Sequence, residues 1–326
     1  MRVLVTGGAG YIGSNMCLEL ARAGHTPVIY DDFSTGFRQL TNEFETVEGD
    51  IRDRDKVAGA LRGCEAVIHF AASSQVGESV RNPPKYFTNN VEGTLALLDA
   101  VLASPVRKFV FSSTAAVYGE PATDLIPETL PKQPLNPYGA TKLFMEYSLA
   151  AYRRSHGLRS ASLRYFNAAG ADFETRAGEL HSPETHLIPL TMDAVAGTGP
   201  ALTVFGNDFP TPDGTCIRDY IHVNDLAAGH LAALDYLERE AEGHLAFNLG
   251  TGHGYSVLEI IKAVSKVAGR EVPHKVGARR EGDPARLVAD PSLAEKQLKW
   301  KAKFGLDEIV QTAWKWHEKN RKREAA

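Results

Sequence analysis

The chain predicts an α/β fold: a doubly wound parallel sheet with a smaller mixed α/β lobe. Three observations predict it. Short, continuously apolar runs alternate with longer segments whose apolar residues recur at helical spacing. The first run leads into a glycine-rich turn, TGGAGYIG at 6–13, that opens a helical pattern. After Asn167 the alternation gives way to polar stretches punctuated by Gly and Pro.

The elements follow in order. RVLVT (2–6), TPVIYD (26–31), AVIHFA (66–71), KFVFSS (108–113) and SASLRYF (160–166) read as strands. Their unbroken apolar character suits strands covered on both faces. SNMCLELARAG (14–24) and GTLALLDAVLAS (93–104) read as the intervening helices. Residues 170–186 read as a long loop, and 206–223 as loop-rich. LAFNLG (245–250) is a strand expected to rejoin the main sheet, and 256–269 and 304–320 are amphipathic helices. The expected division is 1–166 plus about 222–250 for one lobe, and 167–221 plus 251–326 for the other.

The 326 residues are 43 % hydrophobic with a net charge of −4, which gives no basic surface for nucleic acid or an acidic membrane. The basic tail EKNRKREAA reads as a frayed, solvated helix end. Cys17, Cys64 and Cys216 are odd in number and scattered, which argues against a disulfide framework and against zinc, and no metal is expected. The first residues read as a strand and a turn rather than a targeting peptide. No apolar run approaches the roughly 20 residues a membrane span requires. A soluble, cytoplasmic protein is expected.

The glycine turn sets Gly7, Gly10 and Gly13 at G-x-x-G-x-x-G spacing. The first permits a tight turn, the second a close phosphate approach, and the third close packing of the helix. Free N–H groups at the helix start would receive a pyrophosphate, so this is a Rossmann-type dinucleotide site. Asp31 ends the second strand, 18 residues after Gly13, where a carboxylate suits ribose hydroxyls. A 2′-phosphate would be repelled there, and Asp32 adds a second charge, so NAD is expected rather than NADP. Asp50, after the third strand, is placed to accept from an adenine amino group.

NPYGATK (136–142) holds Tyr138 and Lys142 one helical turn apart on one face. A phenol of pKa near ~10 is a poor base at neutral pH, and bringing it to about 7 needs about 4 kcal/mol. A cation at ~4–6 Å and a positively charged nicotinamide are the groups that would supply it. Thr114 ends a strand, where its hydroxyl would either cap a backbone group or relay a proton.

VLVTGGAGYIGS, EGDIRD, HFAASSQVGES, NNVEGTL, SSTAAVYG, NPYGATK, RYFNAAGA, TCIRDYIHV and RREGD run in order from residue 3 to 283. The set resembles the extended short-chain dehydrogenase/reductase family, in its nucleotide-sugar 4-epimerase branch. The resemblance implies Thr114, Tyr138 and Lys142 as catalytic residues. It implies Tyr11, Ile12, Ile51, Phe70, Ala71, Ala72, Ser74, Asn89, Ser112 and Tyr165 around NAD, Tyr138 and Lys142 included. Ser74 stands where some members carry lysine, and Asn89 reads equally as an N-cap. A UDP-sugar would be held by Thr114, Asn167, His186, Leu187, Phe205, Arg218, Arg280, Asp283 and Leu287. Arginine forks suit its diphosphate. His186 replaces a frequent asparagine, and Leu287 stands where residue size governs admission of N-acetyl sugars. The implied reaction passes the C4 hydride of UDP-glucose or UDP-galactose to tightly bound NAD and returns it to the other face. UDP-N-acetylhexosamine and UDP-pentose are the alternative substrates. A non-catalytic NAD sensor is the alternative class. Ala115 and Ala116 follow Thr114 where 4,6-dehydratases carry Asp-Glu. A homodimer through helices near 85–103 and 138–154 is also implied.

Overall fold

The structure, a computed structural model, describes residues 1–239, 245–280 and 282–324. Seven strands form one sheet: β1 (Arg2–Thr6), β2 (Thr26–Asp31), β3 (Glu45–Glu48), β4 (Ala66–His69), β5 (Lys108–Thr114), β6 (Arg159–Tyr165) and β7 (Leu245–Leu249). Their order is β7-β6-β5-β4-β1-β2-β3, and every neighbouring pair is parallel. The chain builds outward from β1 through β2 and β3, then restarts on the other side of β1 with β4. That reversal opens a crevice beyond the carboxyl ends of β1 and β4, where such sheets bind ligands.

Alternate side chains of each strand go to opposite faces, and both faces are apolar. Val3, Val5, Ile29, Ile68, Val110, Leu163 and Phe247 meet the helices Tyr11–Arg22 and Val223–Arg239. Leu4, Val28, Tyr30, Val67, Phe109 and Phe111 meet the helices Arg54–Ala60, Gly93–Leu102 and Pro137–His156. Each large side chain so buried contributes about 1.5–3 kcal/mol. A separate core forms where Ile188, Met192, Val204, Tyr220, Ile260, Val264 and Ile309 pack together. It joins the helices Leu187–Ala196, Val257–Ala268 and Leu306–Glu324. Ser256 and Glu259 close the start of the second of these as a reciprocal capping box.

The expected strand 245–250 does rejoin the main sheet, beside β6. The run 66–71 stops as a strand at His69, because the N–H groups of Phe70 and Ala71 both turn to the Thr6 carbonyl. Residues 223–239, unassigned from sequence, form a helix of 17 residues. Asn89 is not an N-cap: it lies inside a widened helical turn, Phe87–Glu92, that continues directly into Gly93–Leu102. The last helix runs regularly to Glu324, with Lys319 bonded to the Thr175 carbonyl, so no fraying begins at Glu318. Residues 325–326 of the basic tail lie outside the described residues. Among the described residues no helix is long and apolar enough to cross a membrane.

Candidate active site

The glycine turn is dictated by sterics. Gly7 has φ +71°, and a Cβ there would stand 2.5 Å from the Ala71 nitrogen. The glycine therefore serves both the turn and the close passage of Phe70–Ala71. A Cβ on Gly13 would lie 2.2 Å from the Gly7 carbonyl oxygen, so the helix packs on the turn itself. Gly10 differs, since its Cβ would meet only the Gly7 oxygen, at 3.3 Å. Above it begins the helix Tyr11–Arg22, with no side-chain cap and no acid in its first turn. The first N–H groups of this helix have no intrahelical partners. An uncapped, anion-attracting helix start over a glycine cradle fits a dinucleotide pyrophosphate.

This distinction has a measurable consequence. Gly13→Ala is expected to destabilise the protein by about 1–3 kcal/mol, because the clash is with backbone. Gly10→Ala is expected to change stability by less than about 1 kcal/mol and yet to strip NAD from the purified protein. Thermal melts, with nucleotide released by acid and quantified chromatographically, check both.

Asp31 is buried at the end of β2. Its carboxylate accepts from the N–H groups of Ala9 (3.0 Å) and Phe33 (2.9 Å), and burial holds its pKa above the ordinary value. Each oxygen keeps a lone pair for a ribose hydroxyl. Asp32 is occupied by the N–H and hydroxyl of Ser34. Asp50 is held by Arg52 through a forked ion pair and a backbone N–H, which lowers its pKa. Any adenine contact at Asp50 would share that carboxylate with Arg52. Ile51 is buried against Gly93.

Phe70, Ala71 and Ala72 are part-exposed and follow β4 into the crevice, while Ser74 is exposed beyond them. The widened turn brings Asn89 to the Ser73 hydroxyl at 3.3 Å, and Asn90 to the Ser73 N–H at 2.8 Å. Wide turns of this kind re-aim side chains inside helices. The Ser112 and Tyr165 hydroxyls are hydrogen-bonded across β5 and β6. Tyr165 and Phe70 both pack on the ring of buried His230, at 5.9 and 4.8 Å.

The helix that carries Tyr138 begins where sequence dictates. The Asn136 side chain accepts from the Gly139 N–H at 2.8 Å, and Pro137 takes the first helical position. Gly139 is required, because a Cβ there would stand 2.6 Å from the Ala116 carbonyl oxygen. That close approach lays the start of the helix against the end of β5. Thr114, Tyr138 and Lys142 thereby come together. The Lys142 ammonium lies 5.9 Å from the centre of the Tyr138 ring and donates to the Ser112 carbonyl at 2.8 Å. The Thr114 hydroxyl accepts from the Ala116 N–H at 3.2 Å, and it lies close enough to the phenol to draw the Tyr138 pKa down against burial.

Burial rules the electrostatics of this cluster. It pushes Tyr138 up to about 12, against the opposing pull of Thr114, and Lys142 down to about 7. Burial thus opposes the charged form of both groups. The Tyr138 side chain is part-exposed despite this depth, as befits the floor of a cleft.

One turn beyond Lys142, on the same face, is Glu146. It forms a forked ion pair with Arg164 and accepts from the Ser113 hydroxyl at 2.5 Å. Both charged side chains are only 5 % exposed. Arg164 also donates to the Tyr118 hydroxyl at 2.8 Å, which in turn bonds Asn248 at 2.7 Å. The pair ties the helix to the residues preceding Thr114 and Tyr165.

Asn167 opens the short strand Asn167–Ala169. Arg218 is ion-paired to Asp283, and the Arg280 guanidinium stacks 3.9 Å over the Phe205 ring. In the first pair, cation and carboxylate partly satisfy each other. Leu187 starts a helix directly after His186. The His186 Nδ1 is committed to Glu179 and Glu184 at 2.8 and 3.0 Å, leaving Nε2 as the atom for any substrate contact. Leu287 packs beside Val117, Tyr118, Ile126 and Leu143.

Residues 3–250 match the model of the NAD dependent epimerase/dehydratase family. The chain belongs to that family. The UDP-glucose 4-epimerase of Rhizobium leguminosarum bv. trifolii is 49 % identical over 320 residues, covering 98 % of each chain. The crystal structure of UDP-glucose 4-epimerase from Brucella ovis with NAD superposes with a TM-score of 0.94 at 49 % identity, over 96 % of this chain and 97 % of that one. That of the Bifidobacterium longum enzyme with NAD+ and UDP gives 0.92 at 39 % identity, over 98 % and 99 %. Within this epimerase-family site, sequence reasoning missed Gly139, Glu146, Arg164 and His230. Glu146 alone left a signal, since it continues the i, i+4 series Tyr138–Lys142.

Proposed function

We propose that this chain is a UDP-glucose 4-epimerase that interconverts UDP-galactose and UDP-glucose at C4. The observation that carries the reading is the convergence of Thr114, Tyr138 and Lys142 at the end of β5, beside the open glycine cradle. Full-length identity of 49 % to a UDP-glucose 4-epimerase supports it. Gly7, Gly10, Tyr11, Ile12, Gly13 and Asp31 would hold NAD, with Phe70, Asn89, Ser112 and Tyr165 along the crevice. When bound, NAD supplies the acceptor for the C4 hydride and a positively charged ring.

The chain's own residues manage the proton and the sugar. Tyr138 takes the proton of the C4 hydroxyl and gives it back, directly or through Thr114. Lys142, anchored on the Ser112 carbonyl, stands beside the phenol and offers N–H donors to the nucleotide ribose. A positive ring is what the cluster needs, because burial alone keeps the phenol protonated. Arg218 and Arg280 engage the diphosphate and Asp283 the uridine ribose, so the nucleotide stays fixed while the sugar turns over.

The lobes 1–166 plus about 222–250, and 167–221 plus 251–326, are proposed as the NAD and UDP-sugar lobes. A cytoplasmic homodimer is part of the proposal. Phe87, Phe144 and Tyr147 are 45, 49 and 64 % exposed on the two helical stretches expected at its interface, which supports it.

Proton NMR of the purified protein with UDP-galactose, without added NAD, tests the reading. Conversion to UDP-glucose is expected. If neither UDP-galactose nor UDP-N-acetylgalactosamine reacts, even after NAD is supplied, the proposal fails. If only the acetamido sugar reacts, the substrate assignment changes and the epimerase stands.

A further inference from the structure

Four side chains from one loop converge. In ELHSPETH (179–186), Glu179, His181, Glu184 and His186 bring one ligand atom each within 4.8 Å of one another. We propose that these four residues form a binding site for a divalent first-row transition metal, zinc above others.

The spacing is that of a coordination shell. Ligand atoms about 2.0–2.1 Å from a tetrahedral zinc stand about 3.3–3.4 Å from each other. Here the Glu179 Oε1 lies 3.2 Å from His181 Nδ1 and 2.8 Å from His186 Nδ1. The Glu184 oxygens lie 3.6 Å from His181 Nδ1 and 3.0 Å from His186 Nδ1. Both imidazoles present the same nitrogen, and their rings are 4.9 Å apart.

A self-satisfied cluster of hydrogen-bonded ion pairs is the competing account, and one atom speaks against it. His181 Nδ1 is shielded from solvent and makes no hydrogen bond, although two carboxylates lie within 4 Å of it. Those carboxylates are themselves only 9 and 16 % exposed, and two like charges so placed call for a cation. Two nitrogens with two carboxylate oxygens suit zinc and its neighbours, whereas magnesium and calcium prefer all-oxygen shells.

The backing is firm. The Trp316 indole donates to the Glu179 carbonyl at 2.9 Å, and the Glu184 carboxylate accepts from the N–H groups of Thr185 and His186. His181 also meets the edge of the Tyr11 ring, 6.3 Å between centroids. A metal here would pin the loop of the second lobe against the first turn of the glycine-loop helix. The site stands on these four residues alone and does not depend on the epimerase reading.

The test uses the full-length protein, stripped with chelator and dialysed, then titrated with Co2+ and Zn2+. Wild type is expected to take up one Co2+ per chain with the intense visible bands of a tetrahedral ion, displaced by stoichiometric Zn2+. His181→Gln is expected to weaken Zn2+ binding by about 100-fold, and Glu184→Gln by at least about tenfold, in calorimetric titrations. Circular dichroism identifies a variant that fails to fold, in which case the other decides. Absence of the cobalt bands in wild type, or unchanged affinity in a folded variant, overturns the proposal. Neither readout depends on epimerase activity.

Discussion

Tyr138→Phe is expected to lower kcat for UDP-galactose by about 10²–10⁴-fold while leaving the protein folded and its NAD in place. The loss is confined to proton transfer. The ring stays against the end of β5, and the substitution removes only the phenolic oxygen beside Thr114, at a cost of about 1 kcal/mol of stability. KM is expected to change little, because the groups assigned to the diphosphate, Arg218 and Arg280, are untouched. Thr114→Val is expected to cost less than Tyr138→Phe, since its hydroxyl acts through the phenol. Steady-state kinetics on holo-protein, with NAD content measured beside it, separates these outcomes. Equal losses in kcat from the two variants would make Thr114, and not Tyr138, the group that meets the substrate oxygen.

The second large effect is on stability. Arg164→Met leaves the Glu146 carboxylate buried without its partner, and the expected cost is about 3–5 kcal/mol. The Tyr118 hydroxyl loses a donor in the same change. Adding Glu146→Leu removes the orphaned charge, and the double variant Arg164→Met/Glu146→Leu is expected to recover most of that stability. Urea denaturation of wild type, single and double variants measures it. The two sites are in direct contact, so their effects must fail to add. Additive losses would mean that the pair is not coupled in solution.

The parts that were legible in the sequence are those whose cause is local. Gly7 and Gly13 announced the dinucleotide turn because no other residue fits the backbone there. Tyr138 and Lys142 announced themselves by helical spacing, and the parallel sheet by unbroken apolar strands. The illegible parts depend on partners distant in the chain. Glu146 looks like any surface carboxylate on a helix until Arg164, on β6, closes over it. Asn89 read as a cap because the helical turns before it begin at Val76 and Pro83 without a strong apolar rhythm. The depressed pKa of Lys142 was illegible for the same reason, since burial is a property of the whole fold and not of the motif. His186 was assigned to substrate by position, whereas its nearest neighbours proved to be two glutamates from the preceding loop.

In the proposed reaction the hydrogen on C4 leaves and returns without ever reaching solvent. Purified holo-protein incubated with UDP-galactose deuterated at C4, in ordinary water, tests it by mass spectrometry of the product. Retention of the deuterium in UDP-glucose, with no NADH released to solution, is the expected result. UDP-glucose formed with solvent hydrogen at C4 would contradict the claim and point to proton abstraction from carbon instead.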